Sequence, residues 1–309
     1  SRTDHAPLSR SIPMKTPKNI AASVRQRLLN RSREDNRPFN ELLQYYGMER
    51  FLYRLSVSEY APHYILKGAL MLRVWNSPEF RPTMDIDMLG KTGNDEANII
   101  FQIREMMTID VNPDGLSFDP ESIQSERITE DADYEGIRIR FRGALGTARI
   151  NMQIDIGFGD IVYPAPQRAE LPCMLNAPAP SLLCYSRESA IAEKFEAMLT
   201  LGELNSRMKD FYDIWLLSRQ FAFEYENLAE AVRLTFKQRG TELAEPIDAF
   251  SEAFIASRQP LWTAFRKRLK QEHIPESFAE ITSEVEGFMK PIIQGKPSAI
   301  NWLPTGPWS

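Results

Sequence analysis

Three short stretches of this sequence alternate apolar residues with polar or charged ones. The first is Met84-Asp85-Ile86-Asp87-Met88, and the others are residues 137–142 (Ile-Arg-Ile-Arg-Phe-Arg) and 150–156 (Ile-Asn-Met-Gln-Ile-Asp-Ile). A period of two residues is that of a β-strand with one buried face. Helical patterns precede Tyr60 and follow Ser186. We therefore predict a mixed α/β (α+β) fold, a sheet core with N-terminal helices and a C-terminal helical bundle.

Four segments follow from changes in composition along the chain. We predict an N-terminal arm and helical segment over 1–62, the core over 63–165, a connector over 166–185 and a helical domain over 186–309. The connector is assigned because prolines favour extended chain. The prolines in and just before it are Pro164, Pro166, Pro172, Pro178 and Pro180. Gly157 and Gly159 are expected to end the strand that carries Asp155.

Helical starts and apolar spacing predict the remaining elements. Thr16-Pro17 has the form of a helix cap followed by proline at the first helical position. A second N-terminal helix has the apolar stripe Leu42, Leu43, Tyr46, Phe51, Leu52 and Leu55. A short helix is expected at Ala69–Trp75, and a loop that wraps onto the body at the Trp302–Trp308 tail. The expected C-terminal helices are Glu188–Leu201, Arg207–Arg219, Glu226–Gln238, Ile247–Ala256, Leu261–Gln271 and Pro275–Ile293.

Composition excludes several classes of protein. Two cysteines and three scattered histidines disfavour a disulfide scaffold, a cysteine metal site and a Ser-His-Asp site. No apolar run approaches the roughly 18 residues of a membrane helix, and the N-terminus has no signal-peptide pattern, so a cytoplasmic protein without a membrane partner is expected. A net charge of −5 means that any surface for nucleic acid is local.

The aspartates are the first candidate site residues. Asp85 and Asp87 project from the same strand face, roughly 7 Å apart, and repel one another unless a cation lies between them. Hard carboxylate ligands suit Mg²⁺, or Mn²⁺. Asp155 has the phase to supply a third carboxylate, which would complete a two-metal clamp on a triphosphate. The alternative is a pair of solvated surface carboxylates.

A glycine turn precedes these aspartates. In Lys67-Gly68-Ala69 the small residues allow backbone N–H groups to approach a phosphate, and a following helix would direct its N-terminus there. The alternative is an ordinary helix-entry turn, with Lys67 merely exposed.

Two C-terminal residues are ambiguous by themselves. Lys194 lies in line with Ala190 and Met198, so its cation must reach solvent or meet an anion, either a triphosphate or an internal carboxylate. Asp210 lies near a helix start, where a carboxylate is locally favourable, and it is also placed to pair with Arg207.

Two basic clusters are candidate RNA contacts. The first is Arg138, Arg140 and Arg142, for which the alternative is a solvated strand face balanced by Glu126, Asp131 and Asp133. The second is Arg266, Lys267, Arg268 and Lys270, for which the alternative is a solvated helix face.

The order of these motifs resembles the nucleotidyltransferase superfamily, and more closely its AbiEii/AbiGii toxin family. The resemblance rests on residues 64–69 (Tyr-Ile-Leu-Lys-Gly-Ala), residues 81–88 (Arg-Pro-Thr-Met-Asp-Ile-Asp-Met) and the lead-in at 49–56. Downstream, Glu193-Lys194 and residues 207–214 look like the family's lysine and aspartate helices. It thus covers roughly Glu49 to Leu217. Two departures are Ala69, which has no hydroxyl, and a longer stretch before Asp85.

The resemblance implies a nucleotidyltransferase-type core and the toxin of a toxin–antitoxin pair. Such a toxin would use Mg²⁺ or Mn²⁺ to add a nucleotide from an NTP to transfer RNA, block translation and have a cognate antitoxin. It implies that Asp85 and Asp87 bind metal and that Asp155 is the third ligand or base. Lys67, Gly68, Ala69 and Lys194 would bind the phosphates, and Asp210 would support the nucleotide or the catalytic network.

Two alternatives remain open, and a third is disfavoured. In the first the acceptor is a protein hydroxyl, and in the second the chain is a non-catalytic nucleotide-binding module. A metal-dependent phosphohydrolase is disfavoured because it would normally place more histidines near its carboxylates.

Overall fold

The computed structural model describes residues 17–78, 81–130, 134–297 and 299–309. The helices are α1 (Pro17–Glu34), α2 (Phe39–Ser56), α3 (Met71–Val74), α4 (Glu96–Met107), α5 (Arg187–Leu201), α6 (Met208–Gln220), α7 (Tyr225–Arg239), α8 (Glu252–Leu269) and α9 (Phe278–Gln294). The strands are β1 (Tyr64–Lys67), β2 (Ile86–Gly90), β3 (Leu116–Phe118), β4 (Gln124–Glu130), β5 (Tyr134–Leu145), β6 (Ala148–Phe158), β7 (Gln167–Glu170), β8 (Ser181–Cys184), β9 (Phe223–Glu224) and β10 (Asn301–Trp302).

The mixed α/β fold that the strand and helix patterns predict is confirmed. The sheet has the order β3-β5-β6-β2-β1-β8-β7, and β4 pairs with β5. The pairs β2–β6 and β1–β8 are parallel, whereas β1–β2 and β5–β6 are antiparallel. β2 and β6, the strands that carry Asp87 and Asp155, are therefore direct neighbours.

One face of the sheet packs on the main hydrophobic core, and the opposite, more polar face carries Asp87 beside a small apolar cluster that includes Ile65 and Leu89. Ile154 and Ile156 are fully buried, and they share a hydrophobic core with Met48 and Phe51 of α2. Because successive side chains of a strand point to opposite faces, Asp155 lies on the other face. The predicted apolar stripe of α2 is buried, as expected, and its Gly47 allows the helix to approach β6. Thr16 of the predicted cap lies outside the described residues.

The proline-rich connector contains two strands that the prediction missed. β8 pairs with β1 through Ile65 and Leu66, and β7 pairs with β8, so the segment completes the sheet. Both strands are proline-free and four residues long, which is the arrangement that keeps every ladder N–H available. The prediction that Gly157 ends its strand is also wrong. Gly157 pairs with Leu89 and Gly136, and β6 ends at Phe158.

The C-terminal helices have a hydrophobic core of their own, which includes Phe211, Trp262, Phe278 and Phe288. The helices predicted at 247–256 and 261–271 are instead the single helix α8, which contains Pro260. Proline removes one backbone hydrogen bond, and the burial of Phe254 and Trp262 on either side of it favours continuation. The expected loop at the tail includes a two-residue strand, because Trp302 pairs with Phe223.

Within the described ranges no helix combines the length and the apolar character needed to cross a membrane.

Candidate functional site

Two of the predicted carboxylates stand side by side on the polar face of the sheet. Asp87 of β2 and Asp155 of β6 are register partners in a parallel pair, and such partners project to the same face. Asp85 lies two residues before Asp87, in the bend that leads into β2. Burial raises the pKa of Asp85, and the charge of Asp155 raises it further. Asp85 is therefore close enough to Asp155 for their two negative charges to interact.

Arg138 of β5 extends this row by one strand. It is the register partner of Asp155, and its Nε and Nη2 atoms each donate to an Asp155 carboxylate oxygen at 2.8 Å. Sequence reasoning had assigned Arg138 to a basic ridge with Arg140 and Arg142. These two pair instead with Glu126 at 3.1 Å and Asp119 at 3.4 Å. Asp131 and Asp133, the other expected partners, lie outside the described residues.

The donor set fits a hard divalent cation. Among the residues that the structure describes, no three acidic, histidine or cysteine side chains are gathered closely enough to form a metal cage. Mg²⁺ does not usually require one, because it binds through one or two carboxylates together with substrate phosphates and water. Asp87 and Asp155, adjacent in register and preceded by Asp85, supply carboxylate oxygens of that kind.

The glycine turn packs directly on Asp87. Gly68 has a φ of +76°, and a Cβ atom added there would lie 2.3 Å from Asp87 Oδ2. Only glycine satisfies both the backbone conformation and the contact. The buried Ala69 follows, and the helix begins at Met71, later than the expected Ala69. The turn and the carboxylate are therefore positioned by one another.

Lys67 belongs to a buried ionic network. Its Nζ lies 3.0 Å from Glu193 Oε1 and 3.9 Å from Asp160 Oδ2. Arg239 of α7 contacts both carboxylates and also Glu196, at 2.8–3.1 Å. Burial raises the pKa of Glu193 to about 7, with the charge of Asp160 adding to the effect against the opposing charge of Lys67. The network joins the end of β1 to α5 and α7, and so holds the sheet against the helical region.

Lys194 belongs to a second network. Its Nζ lies 3.0 Å from Asp213 Oδ2 and 3.5 Å from Asp210 Oδ1. Arg207 pairs with Asp210 at 2.9 Å, and Arg81 pairs with Asp213 at 3.0 Å. Burial by itself would raise the pKa of Asp213, but the charges of Arg81 and Lys194 outweigh it and lower that pKa to about 2. Lys194 thus has internal carboxylate partners and is still about one-fifth exposed.

Sequence reasoning missed Arg81 and Asp213 as site residues. Asp213 lies one helical turn after Asp210, and Arg81 begins the segment that resembles the family motif, so both signals were available.

One cavity of about 470 Å³ brings most of these residues together. The sheet contributes Asp87, Asp155 and the Gly68-Ala69 turn to its lining. Seven cationic side chains also line it, namely Lys67, Arg81, Arg138, Lys194, Arg207, Lys209 and Arg239. Two predicted residues are not part of this lining. Asp210 is fully buried behind Lys194, and Asp85 lines a neighbouring groove of about 1010 Å³.

A mixed sheet with adjacent aspartates beside a glycine turn, covered by a helical region, defines the class of protein as a nucleotidyltransferase. A family model described as "Nucleotidyl transferase AbiEii toxin, Type IV TA system" matches residues 50–284. The chain belongs to this family, and the match extends well beyond the region where the motifs alone showed a resemblance.

Two solved structures are similar to this chain. A crystal structure of a candidate nucleotidyltransferase from H. pylori is 14% identical in sequence, with a TM-score of 0.45, and the match covers 82% of this chain and 95% of that protein's chain. JHP933 from Helicobacter pylori is 13% identical, with a TM-score of 0.44, and covers 82% of this chain and 92% of its own. A search of curated proteins finds no match to the sequence.

Proposed function

We propose that this protein transfers a nucleotide from an NTP to an RNA acceptor, with transfer RNA as the acceptor class, and that it acts as the toxin of its pair. The observation that carries the proposal is the register pairing of Asp87 with Asp155 beside the Gly68 turn, opposite a cationic wall. Family membership implies a cognate antitoxin as partner. We place the protein in the cytoplasm, where its substrates would be found.

Two groups of residues would perform separate parts of the reaction, one binding the phosphates and the other binding the metal ion. Lys194 and the backbone of Gly68-Ala69 would hold the triphosphate, because cations and N–H groups compensate its charge. Asp85, Asp87 and Asp155 would hold Mg²⁺ or Mn²⁺. Such a cation, when bound, supplies charge stabilisation and orients the phosphates. Arg81, Asp213 and Asp210 would keep Lys194 extended toward the cavity.

The transfer step itself is a displacement at phosphorus. The acceptor hydroxyl oxygen forms a bond to the α-phosphorus, and the bond from that phosphorus to the bridging oxygen breaks, which releases pyrophosphate. Asp155 would accept the hydroxyl proton once Arg138, which donates to both of its carboxylate oxygens, releases one of them. Positioning and charge compensation supply most of the rate enhancement in reactions of this type.

The groove beside Asp85 supports RNA as the acceptor. Arg140, Arg142 and Arg149 line it, together with the amides of Asn151 and Gln153. Arg149 is exposed and makes no ion pair with any other residue that the structure describes. The exposed pairs of Arg140 and Arg142 contribute little individually, so a phosphodiester can replace their partners.

The proposal is tested by incubating the protein with each α-labelled NTP, Mg²⁺, total transfer RNA and a cell-protein fraction together. We expect label in RNA, with pyrophosphate released in equal amount, and none with the Asp87→Ala variant. Label in protein alone would instead establish a protein-hydroxyl acceptor. Toxicity that survives Asp87→Ala without label transfer would establish a non-catalytic binding module.

A further inference from the structure

The cavity has an apolar end that the reaction chemistry does not use. Four side chains form it, and none carries a charge: Leu72, Trp75, Ala190 and Leu217. The carboxylates and cations line another part of the same cavity. A compartment with one ionic and one apolar end suits a ligand built in the same way.

The apolar end lies one helical turn from the ionic end on both long helices. On α5, Ala190 precedes Lys194 by four residues, and on α6, Leu217 follows Asp213 by four residues. Residues spaced by four lie above one another on a helix face. Leu72 contributes from a third element, the short helix α3 that follows the glycine turn. Because Lys194 contacts Asp213, the helices α5 and α6 change from ionic to apolar at the same level of the cavity.

Trp75 closes this end. Its indole is half-buried and packs against both hydrophobic cores. The ring meets Phe221 edge-on, with centroids 6.4 Å apart. The Arg187 guanidinium carbon lies 4.5 Å from the Phe221 ring centroid and 6.0 Å from that of Trp75. These contacts fix the indole at the boundary of the cavity and leave part of it exposed there.

We infer that this apolar end is the nucleobase subsite, with Trp75 as the residue on which the base stacks. The inference rests on the proposed function, since it identifies where the base lies when the triphosphate occupies the ionic end. Every nucleobase has a flat π-face, so an aromatic side chain beside an apolar wall binds it without requiring hydrogen bonds. The base would lie against the partly exposed Trp75 and Ala190, with Leu217 behind them.

A comparison of the four NTPs with inorganic tripolyphosphate, in two tryptophan variants, tests the inference. Binding of ATP, GTP, CTP, UTP and inorganic tripolyphosphate is measured by calorimetry with Mg²⁺ for the wild-type chain and for Trp75→Ala. We expect the NTP that binds most tightly to lose about tenfold in affinity, the usual effect of removing a stacking partner, and tripolyphosphate to be unchanged. Trp308→Ala is the matched control, because Trp308 is also half-buried among aromatic rings but lies in the tail.

The possible outcomes distinguish a failure of the base subsite from a failure of the proposed function on which it rests. Unchanged NTP affinity in Trp75→Ala, or parallel losses for NTP and tripolyphosphate, would overturn the base subsite while the proposed function stands. A wild-type chain that binds no NTP would overturn the proposed function itself.

A second variant does not depend on removing Trp75. Ala190→Leu adds side-chain volume at the apolar end without changing charge. We expect it to weaken purine nucleoside triphosphates by about tenfold and pyrimidine ones less, because the larger base needs the space that the new side chain occupies. Equal effects on both classes, or none, would contradict a base at this position.

Discussion

The Gly68→Ala substitution tests the two reasons why this turn requires glycine, namely the positive φ and the close contact with Asp87. A β-carbon at position 68 would lie 2.3 Å from Asp87 Oδ2 and 2.9 Å from the Cβ and Cγ atoms of Asp87. Ordinary contacts begin at 3.4 Å, so the Asp87 carboxylate oxygen must move by roughly 1 Å and the Cβ and Cγ atoms by roughly half as much. The backbone also has a positive φ, which costs a residue with a β-carbon about 1–2 kcal/mol.

Gly295→Ala is the matched control for the backbone effect. Gly295 has a φ of +64°, and nothing lies within 4 Å of its added Cβ. Gly295→Ala should therefore lose about 1–2 kcal/mol of unfolding free energy in urea titrations, and Gly68→Ala should lose at least as much, because its β-carbon also meets Asp87. A displacement of about 1 Å at a reacting centre lowers a rate on the order of a hundredfold, so only Gly68→Ala should lose label transfer to that extent. Transfer rates within a fewfold of one another in the two folded variants would refute the role of the Gly68–Asp87 contact.

Two further predictions follow from the ion pairs of the site. Arg138→Gln should tighten Mn²⁺ binding about fivefold in electron paramagnetic resonance titrations. The reason is that Arg138 occupies both Asp155 oxygens, and a partly exposed bidentate ion pair contributes about 1 kcal/mol. Weaker or unchanged binding would mean that Arg138 does not compete with the metal ion for these oxygens. Asp213→Asn should lower the unfolding free energy by about 3 kcal/mol at pH 5, since two buried cations lose their carboxylate. The pKa of Asp213 is lowered from 3.8 to about 2 in the fold, so its stabilisation is complete above the unfolded value and is lost as the pH falls toward 2. The difference between wild type and Asp213→Asn in urea unfolding should thus be about 1 kcal/mol smaller at pH 3 than at pH 5, and a difference that does not narrow would contradict the lowered pKa.

The parts of the fold that the sequence predicts are those with a strong local period. Residues around Asp155 alternate over a full strand and are buried on one side, so period and structure agree. The strands at 167–170 and 181–184 are four residues long and each directly follows a proline, so the pairing of β8 with β1 and of β7 with β8 has no comparable local signal. Pro260 misleads in the other direction. Its local signal predicts the end of a helix, but the burial of aromatic side chains on both sides of it keeps the helix continuous.

The site residues also differ in how far the sequence predicts them. Asp85, Asp87 and the Gly68 turn are close in sequence and have a recognisable order, so their proximity could be predicted. The partners of Lys67 and Lys194 could not be, because Glu193 meets Lys67 only through the packing of α5 on the sheet. The contact of Arg138 with Asp155 depends on the register of β5 against β6, which alternation alone does not determine.

The most direct measurement of the central claim is a double-mutant comparison of NTP-dependent label transfer for Asp87→Asn, Asp155→Asn and the combined variant. Adjacent carboxylates that act as one unit predict losses of at least about a thousandfold for each single change and almost no further loss for the double. A single variant within tenfold of wild type, or losses that multiply in the double, would show that these register partners do not form one catalytic site.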